Sequence, residues 1–202
     1  GVGPWAEPYL KGQRPEIIPP AELDFENLIK LQPDLITGIY RDMKPEEYRR
    51  LAQIAPTIAS PAEFVPFGVP WRDEARLVAT ALGQKAAMEQ IIADVEGKFE
   101  AAKKANPTFA GKTCAVALAS TDYWAYGKQD SRARFMETLG LTISPRIDDG
   151  SRKEFSYKLS PEQVQLLEAD VLVLLAGDST AAAKVKGDTL LQGLAVAKRG
   201  GL

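Results

Sequence analysis

Three features of the sequence predict an α/β protein with two αβ lobes and one long helix between them. A helix-to-strand pattern occurs twice, a helical segment from about Arg72 to Lys104 separates the two occurrences, and the last strand, Asp170-Val-Leu-Val-Leu-Leu-Ala176, has no polar alternation. A strand of that composition is covered on both faces, as in a parallel sheet. The repeat has no gap: Phe25-Glu-Asn-Leu-Ile-Lys-Leu-Gln-Pro-Asp-Leu-Ile36 matches Pro161-Glu-Gln-Val-Gln-Leu-Leu-Glu-Ala-Asp-Val-Leu172. Each copy has a Glu in the first turn, two apolar helix positions, and an Asp that opens a buried strand.

The elements follow in order. Residues 1–20 hold Pro4, Pro8, Pro15, Pro19 and Pro20 with three glycines, which predicts an extended loop. Asp24 can cap a helix whose apolar positions are Phe25, Leu28, Ile29 and Leu31, and Pro33 stops it. Asp34 to Ile39 reads as a short buried strand, and Pro45 to Ala52 as a helix with proline at its first position. A second Pro-rich loop spans 56–71 and contains Phe64, Phe67 and Trp71. The long helix follows, with apolar residues every three or four positions and Gly83 set to break or bend it. Beyond Asn106-Pro107 come a strand at about 112–119, an aromatic loop at 121–130, a helix from Ser131 to Leu139 and a strand at about 141–147. A polar stretch at 148–159 leads to a helix opened by Ser160-Pro161-Glu162, then to the Asp170 strand and helical residues 181–197. The division is thus 1–71 for part of an N-terminal lobe, 72–106 for the linking helix and 107–202 for part of a C-terminal lobe.

The 202 residues carry 25 Lys+Arg against 27 Asp+Glu, a formal charge of −2. That balance offers no basic field, so no nucleic-acid partner is expected. The sequence has no run of eighteen apolar residues and no signal-peptide pattern. Histidine is absent, which removes the commonest zinc ligand and the usual base of a Ser or Cys triad. The single cysteine, Cys114, lies in an apolar run and reads as a buried strand thiol.

Motifs that suggest catalysis weaken on inspection. Gly111-Lys-Thr113 has Asn106 where a phosphate loop needs glycine, and it precedes its strand. Gly177-Asp-Ser-Thr-Ala181 sits between strand and helix as a nucleophile elbow would, but no histidine can activate Ser179, so a cap by Ser179 or Asp178 is preferred over a hydrolase. Asp148-Asp149-Gly150 reads as a turn. The stronger signal is that Trp5, Trp71 and Trp124, with Tyr40, Tyr123 and Tyr126, all fall in predicted loops, with Arg41 and Arg72 adjacent. Aromatic loops facing a cleft would stack on a large ligand; alternatively the rings pack the loops onto the lobes.

Phe25 to Ile39 (FENLIKLQPDLITGI), Leu51 to Ala59 (LAQIAPTIA), Trp71 with Ala81-Leu-Gly83 behind it, Ser131 to Gly140 (SRARFMETLG) and Leu159 to Leu172 together resemble the iron-siderophore class of ABC-transporter substrate-binding proteins, the long-helix class that also includes haem and cobalamin binders. The resemblance implies two Rossmann-like lobes joined by one helix, both incomplete in this chain, with a shallow cleft between them. It implies a non-enzymatic monomer, exported and held at the cell surface or in the periplasm, with any lipid-bearing cysteine upstream. It places ligand-facing loops at Trp5, at Tyr40 and Arg41, at Trp71 and Arg72, and at Tyr123, Trp124 and Tyr126. It also places permease-docking acids at Glu46 or Glu47 and at Glu162. The ligand so implied is a ferric siderophore; its iron is already chelated, so no metal ligands and no cofactor are expected of the protein. With only Arg41 and Arg72 nearby, a hydroxamate or mixed chelate is preferred to a triply anionic catecholate. For a haem-binding alternative, Tyr123 would be the candidate ligand.

Overall fold

The computed structural model describes residues 3–18, 23–148 and 154–201. The chain forms two compact units: Gly1–Ile36 with Lys44–Thr57, and Thr37–Met43 with Ile58–Leu202.

In the first unit the N-terminal segment is not wholly extended, since Glu7–Tyr9 makes one 3-10 turn. Helix α1 (Phe25–Leu31) starts where expected: Asn27 N donates to Asp24 Oδ1 at 3.0 Å, satisfying one orphan donor of the first turn. Helix α2 (Pro45–Ala52) has proline at its first position, where no backbone donor is needed. Leu28 and Leu51 are buried, and the Arg50 guanidinium lies 3.6 Å from the Phe25 ring centroid. Strands β1 (Ile36–Gly38) and β2 (Thr57–Ala59), most of whose residues belong to the second unit, pair as a two-stranded sheet.

The second unit contains two helices where the sequence predicts one. Helix α3 (Trp71–Ala81) and helix α4 (Lys85–Ala105) are separated at Gly83, whose φ of +67° is open to glycine and costly for other residues. Arg76 Nε and Nη2 donate to Glu89 Oε1 and Oε2 at 2.8 and 3.0 Å, and Arg72 pairs with Glu96. The partners recede along α4 as the arginines step back along α3, so the two helices run antiparallel. The 21 residues of α4 span roughly 30 Å.

The larger sheet is organised on strand β3 (Thr113–Ala119), followed in the chain by β4 (Tyr123–Tyr126), helix α5 (Ser131–Thr138), β5 (Thr142–Ile143), helix α6 (Pro145–Asp148), β6 (Ser156–Leu159) and β7 (Val171–Ala176). Strand β7 runs parallel to β3 over six residue pairs, from Cys114↔Val171 to Ala119↔Ala176. The other edge of β3 is shared: β5 pairs in parallel at Thr113 and Cys114, and β4 antiparallel at Ala117 to Ala119. Strand β6 pairs antiparallel with β4, with Tyr123 opposite Leu159 and Trp124 opposite Lys158. Five residues of β3 are fully buried or nearly so, from Cys114 to Ala117 and Ala119, as expected of a strand covered on both faces.

Several expectations are corrected here. The predicted aromatic loop at 121–130 contains β4, and the polar stretch at 148–159 contains β6, because each finds a neighbour to pair with. The strand expected at 141–147 ends at Ile143, since Pro145 has no ladder donor and instead opens α6. The Asp148 turn becomes the end of α6, and Asp149 and Gly150 lie outside the described residues. Pro161–Leu167 is a 3-10 helix, entered with Ser160 N donating to Gln163 Oε1 at 3.0 Å. Residues 179–198 break into α7 (Ser179–Gly187), α8 (Thr189–Gln192) and α9 (Ala195–Lys198). Ile143, Ile147, Leu167, Leu191 and Val196 complete the core of this unit.

Candidate functional site

Within the second unit, four rings and a guanidinium form a row. Tyr40, on the turn after β1, meets Phe67 edge-on with centroids 5.3 Å apart. Phe67 lies 5.2 Å from Phe155, and Phe155 lies 6.4 Å from Tyr126 at the end of β4. The Arg132 guanidinium covers the Tyr126 ring at 4.0 Å, a favourable placement over its electron-rich face. Tyr40 is 45% exposed, Phe67 and Phe155 are half-buried, and Tyr126 is buried. The row thus grades from solvent into the body of the unit.

The cation at its end is placed by the cap of α5. Asp130 is fully buried, accepts from Arg132 N at 2.8 Å, and lies 3.4 Å from both Nε and Nη1 of Arg132. Burial raises the Asp130 carboxyl pKa, while the backbone donor and guanidinium of Arg132 act against that rise. The Tyr126 phenol is likewise raised, chiefly by burial, so it stays a neutral hydroxyl. Arg134 reaches the loop that bears Phe67, donating from Nη1 to Gly68 O at 2.6 Å.

Of the residues predicted to face a ligand, the structure brings Tyr40 and Tyr126 into this row. Arg41, beside Tyr40, is half-buried. Trp71 and Arg72 are not in a loop but begin α3; Arg72 lies 4.9 Å from the Trp71 ring and is neutralised by Glu96. Trp5 belongs to the first unit and is 80% exposed. Tyr123 and Trp124 sit on β4 and point to opposite faces. Trp124 is exposed beside the Lys158–Asp122 ion pair at 2.7 Å. Tyr123 is buried, its hydroxyl donates to Asp188 Oδ2 at 2.9 Å, and burial with that carboxylate pushes its phenol pKa up. A haem ligand must give up its phenol proton readily, so Tyr123 is poorly suited to that part.

The residues missed by the sequence reading are Arg132, Phe155 and Phe67. Arg132 carries only a helix-start signal, and Phe155 stands in a polar stretch. Both join the row solely through the pairing of β4 with β6 and the cap of α5.

Of the acids proposed for docking, Glu46 and Glu162 are exposed and Glu47 is half-buried. Glu46 lies 3.6 Å from Arg49, Glu47 is on the same first turn of α2, and Glu162 is exposed in the second unit. A hydrogen bond from Ser160 holds the Glu162 carboxyl below its ordinary range. Asp178 caps α7 by accepting from Ala181 N at 2.8 Å, so Ser179 is the first residue of a helix. The Gly111-Lys-Thr113 triplet holds an internal carboxylate: Thr113 N and Oγ1 lie 2.8 and 3.0 Å from Asp170 Oδ2, and Lys112 pairs with it at 3.4 Å.

The sequence model of the periplasmic binding protein family matches residues 2–201. No curated protein matches the chain. PiaA of Streptococcus pneumoniae TIGR4, solved in complex with ferrichrome, is 25% identical, with a TM-score of 0.82 over 98% of this chain and 69% of that one. A periplasmic solute binding protein from Mycobacterium smegmatis is 25% identical, with a TM-score of 0.83 over 100% of this chain and 69% of that one. Staphylococcus aureus SirA, complexed with staphyloferrin B, shares the fold at 20% identity and a TM-score of 0.76, over 98% of this chain and 71% of that one. The resemblance drawn from the sequence motifs therefore agrees with the solved structures. The chain belongs to the periplasmic binding protein family.

Proposed function

We propose that this chain is the substrate-binding component of an ABC importer and that it captures a ferric siderophore. The observation that carries this reading is the row Tyr40–Phe67–Phe155–Tyr126–Arg132, in a chain similar to a protein solved with ferrichrome. A siderophore wraps Fe(III) in its own oxygens and presents an apolar, amide-rich exterior, which rings can contact and one cation can orient. The charges near the row favour a hydroxamate or mixed chelate. Arg132 is partly offset by Asp130, which leaves the inner end of the row with little net positive charge for a triply anionic catecholate.

The receptor works by recognition, without a catalytic step, a cofactor or metal ligands of its own, and as a monomer. Glu46, Glu47 and Glu162 are the proposed contacts to the permease. Among the described residues no helix is long and apolar enough to cross a membrane. We place the protein outside the cytoplasm, at the cell surface or in the periplasm, with a lipid anchor upstream of this segment.

The test is a tryptophan-fluorescence titration with a ferric hydroxamate, a ferric catecholate, haem and cobalamin. Saturable quenching by the ferric hydroxamate, and little by its iron-free form, is expected. A response confined to haem or cobalamin, or none at all from folded protein, overturns the siderophore reading.

A further inference from the structure

The turn Val65–Gly68 carries a bulky residue where glycine is the usual choice. Gly68 N donates to Val65 O at 2.9 Å, Pro66 holds the second place, and Phe67 in the third has φ of +62°. Positive φ in the third place of such a turn suits glycine or asparagine, because a Cβ crowds the backbone there. The glycine comes one residue later and serves another need. A Cβ on Gly68 would lie 2.6 Å from Val65 Cγ2, 3.0 Å from Val65 O and 3.4 Å from Gln129 O.

The turn is also held from outside itself. Arg134 donates to Gly68 O at 2.6 Å and to Gln129 Oε1 at 3.2 Å, and Val69 is buried. A left-handed aromatic residue persists only where its surroundings over-determine it, and such positions cluster at ligand sites. What this backbone delivers is a half-buried ring between Tyr40 and Phe155, at 5.3 and 5.2 Å.

We propose that Phe67 is a specificity-determining contact residue, a wall held in place by a strained turn, against which the aliphatic part of a hydroxamate chelate rests. This inference rests on the siderophore reading. The left-handed backbone is the means, because with φ negative the same residue would carry its side chain in another direction.

Phe67→Gly and Phe67→Asn both tolerate positive φ and remove the ring, so they separate the ring from the turn. In the full chain, titrated with ferrichrome, either variant is expected to fold with an unfolding midpoint close to that of the wild type, relief of the positive-φ strain offsetting the lost contacts to Tyr40 and Phe155, while its Kd rises about fivefold or more. A smaller rise in a folded variant overturns the wall, as does failure of both variants to fold, which would make the ring core packing. If the wild type itself binds no ferric chelate, the siderophore reading fails first and takes the wall with it. Wild-type binding with an unchanged variant Kd overturns the wall alone.

Discussion

Strand β4 and the loops bearing Tyr40 and Phe67 both concentrate aromatic rings, yet they use them differently. On β4 the strand period decides: Tyr123 turns inward, bonds Asp188 and joins the core, while Trp124 turns outward and stays exposed. In the loops no period applies, and the rings go where a strained turn and a neighbouring guanidinium hold them. Ring density in a sequence therefore marks a region as unusual without saying which rings are free. A ring becomes available to a ligand when its backbone has spent its hydrogen bonds elsewhere and its face is left over.

The largest effect should come from breaking the inward half of that contrast. Tyr123→Ala leaves a hole in the buried cluster that also holds its cross-strand partner Leu159 and should cost about 3–5 kcal/mol in chemical denaturation, whereas Tyr123→Phe, losing only the bond to Asp188, should cost about 1–2 kcal/mol. Similar costs for the two substitutions would mean that the ring packs little. Outward on the same strand, Trp124→Ala should change stability by less than about 1 kcal/mol yet, if the exposed ring stacks on the ligand, weaken ferric hydroxamate binding by about 1–3 kcal/mol; unchanged affinity would show that Trp124 makes no ligand contact. In the loops, Tyr40→Ala gives up one edge-on ring contact, an expected stability loss of about 1 kcal/mol or less, seen as a small shift in the unfolding midpoint.

The smallest effect concerns the frame that holds β4. Hydrogen bonds from Thr113 hold the Asp170 carboxyl below its ordinary value of 3.8. A lowered folded pKa contributes stability above the unfolded value and loses it as pH falls through the folded one. Asp170→Asn should therefore be less stable than the wild type at neutral pH, and the gap should narrow below about pH 3.8. A gap that is constant with pH would show that the carboxylate charge is not what Thr113 engages.

Much of the fold was legible because its cause is local. The Asp24 cap, the proline opening α2, the break at Gly83 and the apolar run of β7 each depend on a few neighbouring residues, and each stands where the sequence indicated. Strands β4 and β6 were not legible. β4 lacks the alternation of a half-buried strand, although its partners on β3 are close in the chain, and β6 is a short stretch of mixed polarity whose partners on β4 lie thirty or more positions away, so no short window contains the reason for β6. The site divides likewise. Tyr40 and Tyr126 were marked as rings beside predicted strand ends, whereas Arg132 and Phe155 showed no signal, since their roles follow from the Asp130 cap and the β4–β6 register.

The sequence by itself determined the α/β class, the two helix-to-strand units, the absence of imidazole chemistry and the family. The class and the units follow from periodicity, caps and composition, which are properties of neighbours in the chain, and the family from the resemblance of its motifs. The tertiary structure alone decided which rings are buried and which are offered. It also decided that Arg72 is spent on Glu96 while Arg132 lies over Tyr126, and that Phe67 is held left-handed. Those outcomes depend on contacts between residues far apart in sequence, where packing and charge pairing override every local preference.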